Sequence, residues 1–150
     1  MPVIKGAQVV EAMGGRITKQ VEELKNAGVE PCLAILRVGE DGSQMAYERG
    51  ARNRLAKYGI KCETTALDID VSQEDFEKAF RGLNEDAAVH GILILQPLPK
   101  NLSIESIKNE INPLKDVDAI SPTTLYRVFA WDKQAFAPCT AEGVIEILDS

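Results

Sequence analysis

Residues 37–60 read RVGEDGSQMAYERGARNRLAKYGI, and this stretch decides the fold because it joins a buried strand to a helix. An apolar run over residues 32–36 precedes the helix. Val38 and Gly39 end this strand-like segment, and an acidic turn follows. Ser43 then opens a helical pattern that closes at Gly59. Proteins built from parallel strands and helices bind ligands beyond the carboxyl ends of their strands. We therefore expect the functional site to include this loop and the first turns of this helix.

Tyr47 is the aromatic hydroxyl in the first half of this helix. At about 100° per residue, Ala51 and Arg54 lie on its side of the helix, whereas Arg49 points away. Aromatic residues at helical spacing usually belong to a core. Two interpretations follow: a half-buried tyrosine that packs on a neighbouring element, or a tyrosine that binds a ligand.

The rest of the chain alternates helical and strand-like patterns. Helices are predicted over 7–26, 43–58, from Ser72 through the stripe Phe76, Ala79, Phe80 and Leu83, and over 104–111; strands are predicted over 32–38, 61–67 and 90–95. Such alternation implies βαβ units and a mainly parallel sheet. The nearly continuous apolar run CLAILRV is typical of a strand covered on both faces. The predicted fold class is therefore α/β, a three-layer sandwich with a mainly parallel sheet flanked by helices.

The pattern becomes irregular after Asn112. Asp116 and Asp118 flank Val117, so their side chains diverge if the segment is extended, and a solvated turn with ordinary loop acids is the simplest interpretation. Thr140 is a plausible N-cap for a final helix that begins before the chain ends at Ser150. We interpret this last helix as the start of a linker.

The composition restricts the classes of function. The chain has 150 residues, of which 45% are hydrophobic and 27% charged, and this suits one globular domain. Its net charge of −6 argues against nucleic-acid binding, which needs clustered Lys and Arg. The start MPVIKGAQVV contains no long apolar segment, and no run approaches the length needed to span a membrane. A cytoplasmic protein without a membrane partner is expected.

Cysteine and histidine offer little chemistry. Cys32, Cys62 and Cys139 are widely separated and odd in number, so reduced structural thiols are expected, with no metal site. His90 is the only histidine, and it stands at the start of a predicted strand with no nucleophile beside it. Gly39 and Gly42 do not form the G-x-G-x-x-G fingerprint of dinucleotide binding, so no cofactor site is expected in this chain.

Three segments together resemble one known family. VGEDGSQMAYERGARNRLAKYGI, GILILQPLP, and KDVDAISPTT with the later PCTAEG are similar to motifs of the bifunctional methylenetetrahydrofolate dehydrogenase/cyclohydrolases. The resemblance covers the chain in the family's order. It implies that residues 1–139 are a folate-binding catalytic domain. It also implies that residues 140–150 begin a linker helix to an NAD(P)-binding Rossmann domain that is absent from this chain.

The resemblance assigns the site residue by residue. It implies catalytic roles for Tyr47, Gln96 and Asp118, and substrate binding by Tyr47, Ala51, Ile94, Leu95, Gln96 and Asp118. Tyr47 matches the family tyrosine, and Asp118 matches the second aspartate of the family's K-D-V-D motif. In this reading Tyr47 orients the folate ring, and Asp118 accepts hydrogen bonds from the pteridine amino groups.

Other positions depart from the family pattern. The family lysine, one helical turn after the tyrosine, is Ala51 here. The family glutamine falls at Leu95, and Gln96 follows it as if the pair were exchanged; a bulge before Pro97 would turn Gln96 toward the pocket. Ala119 and Ala141 replace a family glycine and a family proline.

The missing lysine matters most for hydrolysis, because a desolvated ammonium can shuttle a proton to or from attacking water. Arg54 cannot replace it, since a guanidinium stays protonated. Hydride transfer depends chiefly on alignment. We therefore expect weakened or lost cyclohydrolase activity. Dehydrogenase chemistry is expected only in a full-length, homodimeric protein whose other domain binds NADP or NAD, and not in this chain alone.

Two other readings stay open. One is the substrate domain of another two-domain dehydrogenase, such as a shikimate or amino-acid dehydrogenase, although those families lack the P-L-P and K-D-V-D segments. The other is a catalytically inactive folate-binding or interaction domain, an alternative that the departures at Ala51 and Leu95 keep open. Binding of tetrahydrofolate derivatives, compared with glutamate and shikimate, separates these readings.

Overall fold

A computed structural model describes residues 6–149, so the first five residues of the predicted 1–139 domain and Ser150 lie outside the described residues. The described elements are α1 (Gly6–Asn26), β1 (Cys32–Val38), α2 (Gly42–Lys57), β2 (Lys61–Leu67), α3 (Gln73–Glu85), β3 (Gly91–Ile94), α4 (Pro122–Phe129) and α5 (Cys139–Leu148). The predicted α/β class is confirmed. The bounds of β1 and β2 match the prediction, and β3 is one residue shorter at each end.

The sheet has the strand order β2-β1-β3, and both pairings are parallel. Cys32 of β1 lies opposite Lys61 of β2, and Leu33 lies opposite Gly91 of β3. Beyond β3 the sheet continues as a single parallel bridge between Ile92 and Asp116. Because β2 and β3 flank β1 on opposite sides, right-handed crossovers require α2 and α3 to cover opposite faces of the sheet.

The side chains of β1 show these two faces. Ala34, Leu36 and Val38 belong to the buried core, together with Phe76 and Phe80 of α3. The intervening Arg37 points to the other face, where it bonds to α2. The sheet is therefore the middle layer of three, and the predicted stripe on α3 faces the core.

The predicted helix over 104–111 is wrong. The segment forms consecutive turns, in which the carbonyl of Ile104 accepts from both Ile107 and Lys108 at 3.1 and 3.0 Å. A regular helix does not form because the stretch between Pro99 and Pro113 is short and includes three asparagines, which favour turns. Its isoleucines still reach the core, so the apolar spacing reflected burial and not a helix.

The segment after Asn112 is more ordered than predicted. It contains α4, in which the Ser121 hydroxyl accepts from the Thr124 backbone N–H at 2.9 Å and Pro122 occupies the first turn. Serine followed by proline is a helix-start signal that the sequence offered. The predicted N-cap at Thr140 is wrong, because α5 begins at Cys139 and Pro138 occupies the cap position.

Three observations concern the membrane, metal and cysteine predictions made from the sequence. Within residues 6–149, no helix is both long and apolar enough to cross a membrane. The same residues contain no cluster of three or more His, Cys, Asp or Glu side chains that could hold a metal ion. Cys32, Cys62 and Cys139 are free thiols.

A polar cluster fixes α2 to the sheet. The Glu48 carboxylate accepts from Arg37 Nε and from the Thr64 hydroxyl, each at 2.8 Å, and Arg52 lies 3.5 Å away. Burial alone would raise the pKa of Glu48, but the hydrogen bonds from Thr64 and Arg37 and the charges of both arginines outweigh it and lower that pKa. The cluster joins α2 to both β1 and β2. Its central residue, Glu48, immediately follows Tyr47 in the chain.

We expect Glu48→Gln to lower the free energy of unfolding by about 2 kcal/mol near neutral pH, because it leaves Arg37, whose side chain is 11% exposed, without its charged partner. Glu48 has a lowered folded-state pKa, so its stabilisation is present above the ordinary value of 4.5 and is lost as pH falls through the folded value. The difference between variant and wild type in urea unfolding should therefore shrink on acidification.

The control is Glu63→Gln, which removes a carboxylate from the exposed Lys61–Glu63 ion pair. We expect a change below about 0.5 kcal/mol, since exposed pairs contribute little. Equal effects of the two substitutions, or a pH-independent effect of Glu48→Gln, would contradict the anchoring role of Glu48.

Candidate functional site

A cavity of about 410 Å³ lies at the carboxyl end of the sheet, between the elements that follow β1 and β3. The chain turns toward β2 after β1, whereas β3 lies on the other side, so this is a switch point of the topology, where ligands bind in open α/β sheets. The lining residues are Ser43, Gln44, Tyr47, Leu93, Ile94, Leu95, Gln96 and Asp118.

Tyr47 lies on the α2 wall of the cavity. The residue is 59% exposed, so the interpretation as a half-buried packing tyrosine is wrong. The Asp41 carboxylate accepts from the backbone N–H groups of Ser43 and Gln44, each at 3.0 Å, and caps the helix. The Asp41 cap precedes Tyr47 in the chain and the anchored Glu48 follows it, so the helical turn that carries Tyr47 is fixed. The tyrosine ring faces the opening of the cavity.

The end of β3 forms the opposite wall. The Leu95 backbone N–H donates to Leu36 at 3.0 Å, so Leu95 stays within the regular pairing with β1 and is buried. Gln96 follows as an exposed residue that also lines the cavity. The expected bulge is therefore not needed to bring Gln96 to the cavity. The Gln96–Pro97 peptide bond is cis.

Asp116 and Asp118 have different environments. Asp116 is fully buried, and its carboxylate accepts from the backbone N–H groups of Ile120 at 2.9 Å and Ser121 at 3.0 Å. The interpretation of a solvated turn is therefore wrong for Asp116. Ala119, which follows Asp118, has φ +51°, a conformation that favours glycine and so accounts for the glycine of the resembling motif. The tight loop directs Asp118 to the cavity.

This loop packs directly on β3. A Cβ added at Gly91 would lie 2.7 Å from a methyl carbon of Val117, so only glycine allows the approach. The backbone N–H of Ile92 donates to the Lys115 carbonyl at 2.7 Å, and the Cys139 thiol donates to the Val117 carbonyl at 3.1 Å. Asp118 is thus positioned by contacts to β3 and to the start of α5.

The surroundings of Asp118 change its acidity. Burial raises the pKa of this half-buried carboxyl above its ordinary value, and the nearby charge of Asp116 raises that pKa further. In its ionised form the Asp118 carboxylate can accept hydrogen bonds from N–H donors of a ligand. A carboxylate, an amide and a phenol around one hollow suit a polar, nitrogen-rich ring.

Not every predicted residue lines the cavity. Ala51 is absent from the lining, although it lies one helical turn after Tyr47. Sequence reasoning also missed Ser43, Gln44 and Leu93, which do line the cavity. The available signal was spacing, because Gln44 precedes Tyr47 by three residues and so shares part of its face.

The start of α2 does not fit a dinucleotide. In dinucleotide-binding folds the pyrophosphate occupies free backbone N–H groups at the helix that follows the first strand. Here the Asp41 carboxylate already accepts from two of these groups, and its negative charge would repel phosphate. The hydrogen bond from the Ser43 hydroxyl and then that from the Gln44 backbone lower the pKa of Asp41, which favours this charge.

A second hollow of about 440 Å³ lies beside the end of α4. Its lining is mostly apolar and includes Val128, Phe129, Trp131, Asp132, Lys133, Ala135 and Ala137. Trp131 is 91% exposed. This hollow holds none of the residues that the sequence predicts for the site, so the cavity beside Tyr47 is the stronger candidate.

Comparisons with known proteins identify relatives of this chain. Residues 4–118 match the family described as tetrahydrofolate dehydrogenase/cyclohydrolase, catalytic domain. The bifunctional protein FolD of Alkaliphilus oremlandii is 46% identical over 146 residues, which cover 97% of this chain and 51% of that protein.

Solved structures give the same result. The bifunctional FolD methylenetetrahydrofolate dehydrogenase/cyclohydrolase from Campylobacter jejuni superposes with a TM-score of 0.93 at 28% identity, covering 99% of this chain and 53% of that one. The Trypanosoma brucei enzyme, solved with NADP cofactor and an inhibitor, gives 0.89 at 30% identity, with 99% and 52% covered. The chain therefore spans about half the length of these relatives.

The surroundings of Asp118 and Asp132 shift the pKa values of these two carboxyl groups in opposite directions. We expect the carboxyl carbon of Asp118 to titrate above its ordinary value of 3.8 in an NMR pH titration, because burial and Asp116 disfavour its charge. Asp132 should titrate below that value, because hydrogen bonds from the Gln134 backbone and the Arg127 side chain favour its charge. A midpoint for Asp118 at or below that of Asp132 would contradict the geometry described.

Proposed function

Because the chain belongs to the tetrahydrofolate dehydrogenase/cyclohydrolase family, we propose that its cavity binds a tetrahydrofolate derivative for one-carbon oxidation. The observation that carries the proposal is the convergence of Tyr47, Gln96 and Asp118 on one hollow at the switch point. These residues come from three separate parts of the chain. The reaction is oxidation of 5,10-methylenetetrahydrofolate, followed in the family by hydrolysis to 10-formyltetrahydrofolate.

Each side chain has a proposed role. Asp118 accepts hydrogen bonds from the amino and N–H groups of the pteridine, and its partial burial strengthens these bonds. Tyr47 stacks on or orients the ring, and Gln96 contacts it from the opposite wall. Ile94 and Leu95 supply apolar contact, and Ala51 adds only a methyl group behind Tyr47. Holding the ring in this way aligns the methylene carbon for reaction.

We propose that NADP or NAD is bound by a second, dinucleotide-binding domain in a longer, homodimeric, cytoplasmic protein. The Trypanosoma brucei relative was solved with NADP, which supports a nicotinamide cofactor. The Asp41 cap makes the start of α2 unsuitable for a pyrophosphate, so the proposal places the cofactor elsewhere. The bound cofactor would accept hydride. In this proposal residues 1–139 form the folate domain, and residues 140–150 begin the connection.

The departures from the family affect hydrolysis more than oxidation. Ala51 carries no ionisable group, and Arg54, further along α2, is exposed and cannot release its proton. We therefore propose a dehydrogenase with weak cyclohydrolase activity. The comparisons do not favour the substrate domain of a shikimate or amino-acid dehydrogenase.

The first test is calorimetric titration of the chain with tetrahydrofolate, using shikimate and glutamate as negative controls. Asp118→Asn should weaken binding about 10- to 100-fold, because it removes a charged hydrogen-bond acceptor. The control variant Asp70→Asn changes an exposed turn carboxylate and should bind like the wild type. The proposal would be contradicted if the wild-type chain bound shikimate, or if it did not bind tetrahydrofolate.

The second test restores the missing amine. In the full-length protein, Ala51→Lys should raise the rate of methenyltetrahydrofolate hydrolysis at least about tenfold, because a positioned proton shuttle contributes that much or more. Ala56→Lys adds the same charge at an exposed position of α2 and should have no effect. Brisk hydrolysis by the wild-type protein would show that Ala51 is not the limiting position.

A further inference from the structure

Gln44 is a buried polar residue in the first turn of α2. It lies three residues before Tyr47, lines the cavity and is only 6% exposed. Neither the resembling motifs nor the proposed chemistry assigns it a role. A buried amide costs free energy unless both its donor and its acceptor are satisfied, so the reason for its presence must be found in its contacts.

The amide nitrogen of Gln44 joins the two walls of the cavity. Nε2 donates to the Pro97 carbonyl oxygen at 3.0 Å, across 53 positions of the chain. Within residues 6–149, no other side-chain hydrogen bond connects α2 to the turn of residues 95–99. Because Gln96 immediately precedes Pro97, this bond holds the turn that carries Gln96 against the helix that carries Tyr47.

The amide oxygen of Gln44 has no partner. Oε1 is shielded from solvent and accepts no hydrogen bond within the described part of the chain. The amide orientation is fixed, because the Pro97 carbonyl can only accept and so must face the nitrogen. An apolar side chain of similar length would fill the space without leaving an acceptor unsatisfied. Fold stability alone does not explain this glutamine.

We propose that Gln44 is a positioning residue of the folate site, which acts by fixing the Gln96 turn relative to Tyr47. This inference rests on the proposed function of the cavity. Gln44 stands where the two walls meet, and the turn that it holds carries the glutamine that is displaced by one position from the family pattern. Proteins retain such locally unfavourable groups where the site requires a defined geometry.

The geometry of the cavity sets how large the effect should be. A displacement of about 1 Å between positioning groups can reduce catalysis roughly 100-fold. Loss of the Gln44 bond frees one end of the turn only, because Leu95 remains paired to Leu36. We therefore expect a smaller change, of about tenfold, in the affinity for tetrahydrofolate.

A double-mutant cycle on the chain tests the inference, with tetrahydrofolate as the titrated ligand. Gln44→Met keeps the length of the side chain and removes both polar atoms, and Gln96→Ala removes the side chain that is to be positioned. Each should weaken binding about tenfold, and the double variant should be no weaker than Gln96→Ala alone, since coupled residues are not additive. The melting temperature of Gln44→Met should stay within about 2 °C of the wild type or rise.

The outcomes separate the possible failures. Wild-type affinity in Gln44→Met overturns this inference and leaves the proposed function intact. Weaker binding that multiplies with Gln96→Ala, together with a lower melting temperature, assigns Gln44 a structural role and also overturns it. A wild-type chain that binds no tetrahydrofolate overturns the proposed function itself, and the inference with it.

Discussion

β1 is hydrogen-bonded along both of its edges, and this pairing determines where the cavity forms. The chain leaves β1 through α2 toward β2 on one side, while β3 approaches from the other side. The helix after β1 and the turn after β3 therefore begin at the carboxyl ends of neighbouring strands. A gap at the carboxyl end is the consequence, and Tyr47 and Gln96 face each other across it.

The two aspartates of the K-D-V-D motif have different positions, one in the interior of the loop and one at the cavity. Asp116 is completely buried, and its oxygens are satisfied by two backbone N–H groups that close the loop. Asp118, two residues later, keeps partial access to solvent and lines the cavity. The buried charge also raises the pKa of its neighbour. Environment, more than residue type, thus decides which carboxyl can serve a ligand.

Local patterns in the sequence predicted the strands and most helices well. β1 and β2 could be placed because their apolar or alternating runs are bounded by glycine and proline. The turns over 104–111 were mistaken for a helix because isoleucines at spacings of three and four also arise when turns bury one side. Gln44 was missed because α2 packs a polar stripe on the sheet, with Glu48 bonded to Arg37, and periodicity of apolar residues cannot reveal such a face.

We propose that folate binds in the cavity beside Tyr47. The most direct measurement is an NMR titration of the chain with tetrahydrofolate that follows the backbone amide signals. We expect the largest shifts over residues 43–47, 93–96 and 118. Shifts concentrated around Phe129 and Trp131, beside the apolar hollow at the end of α4, with an unchanged Asp118 signal, would contradict it.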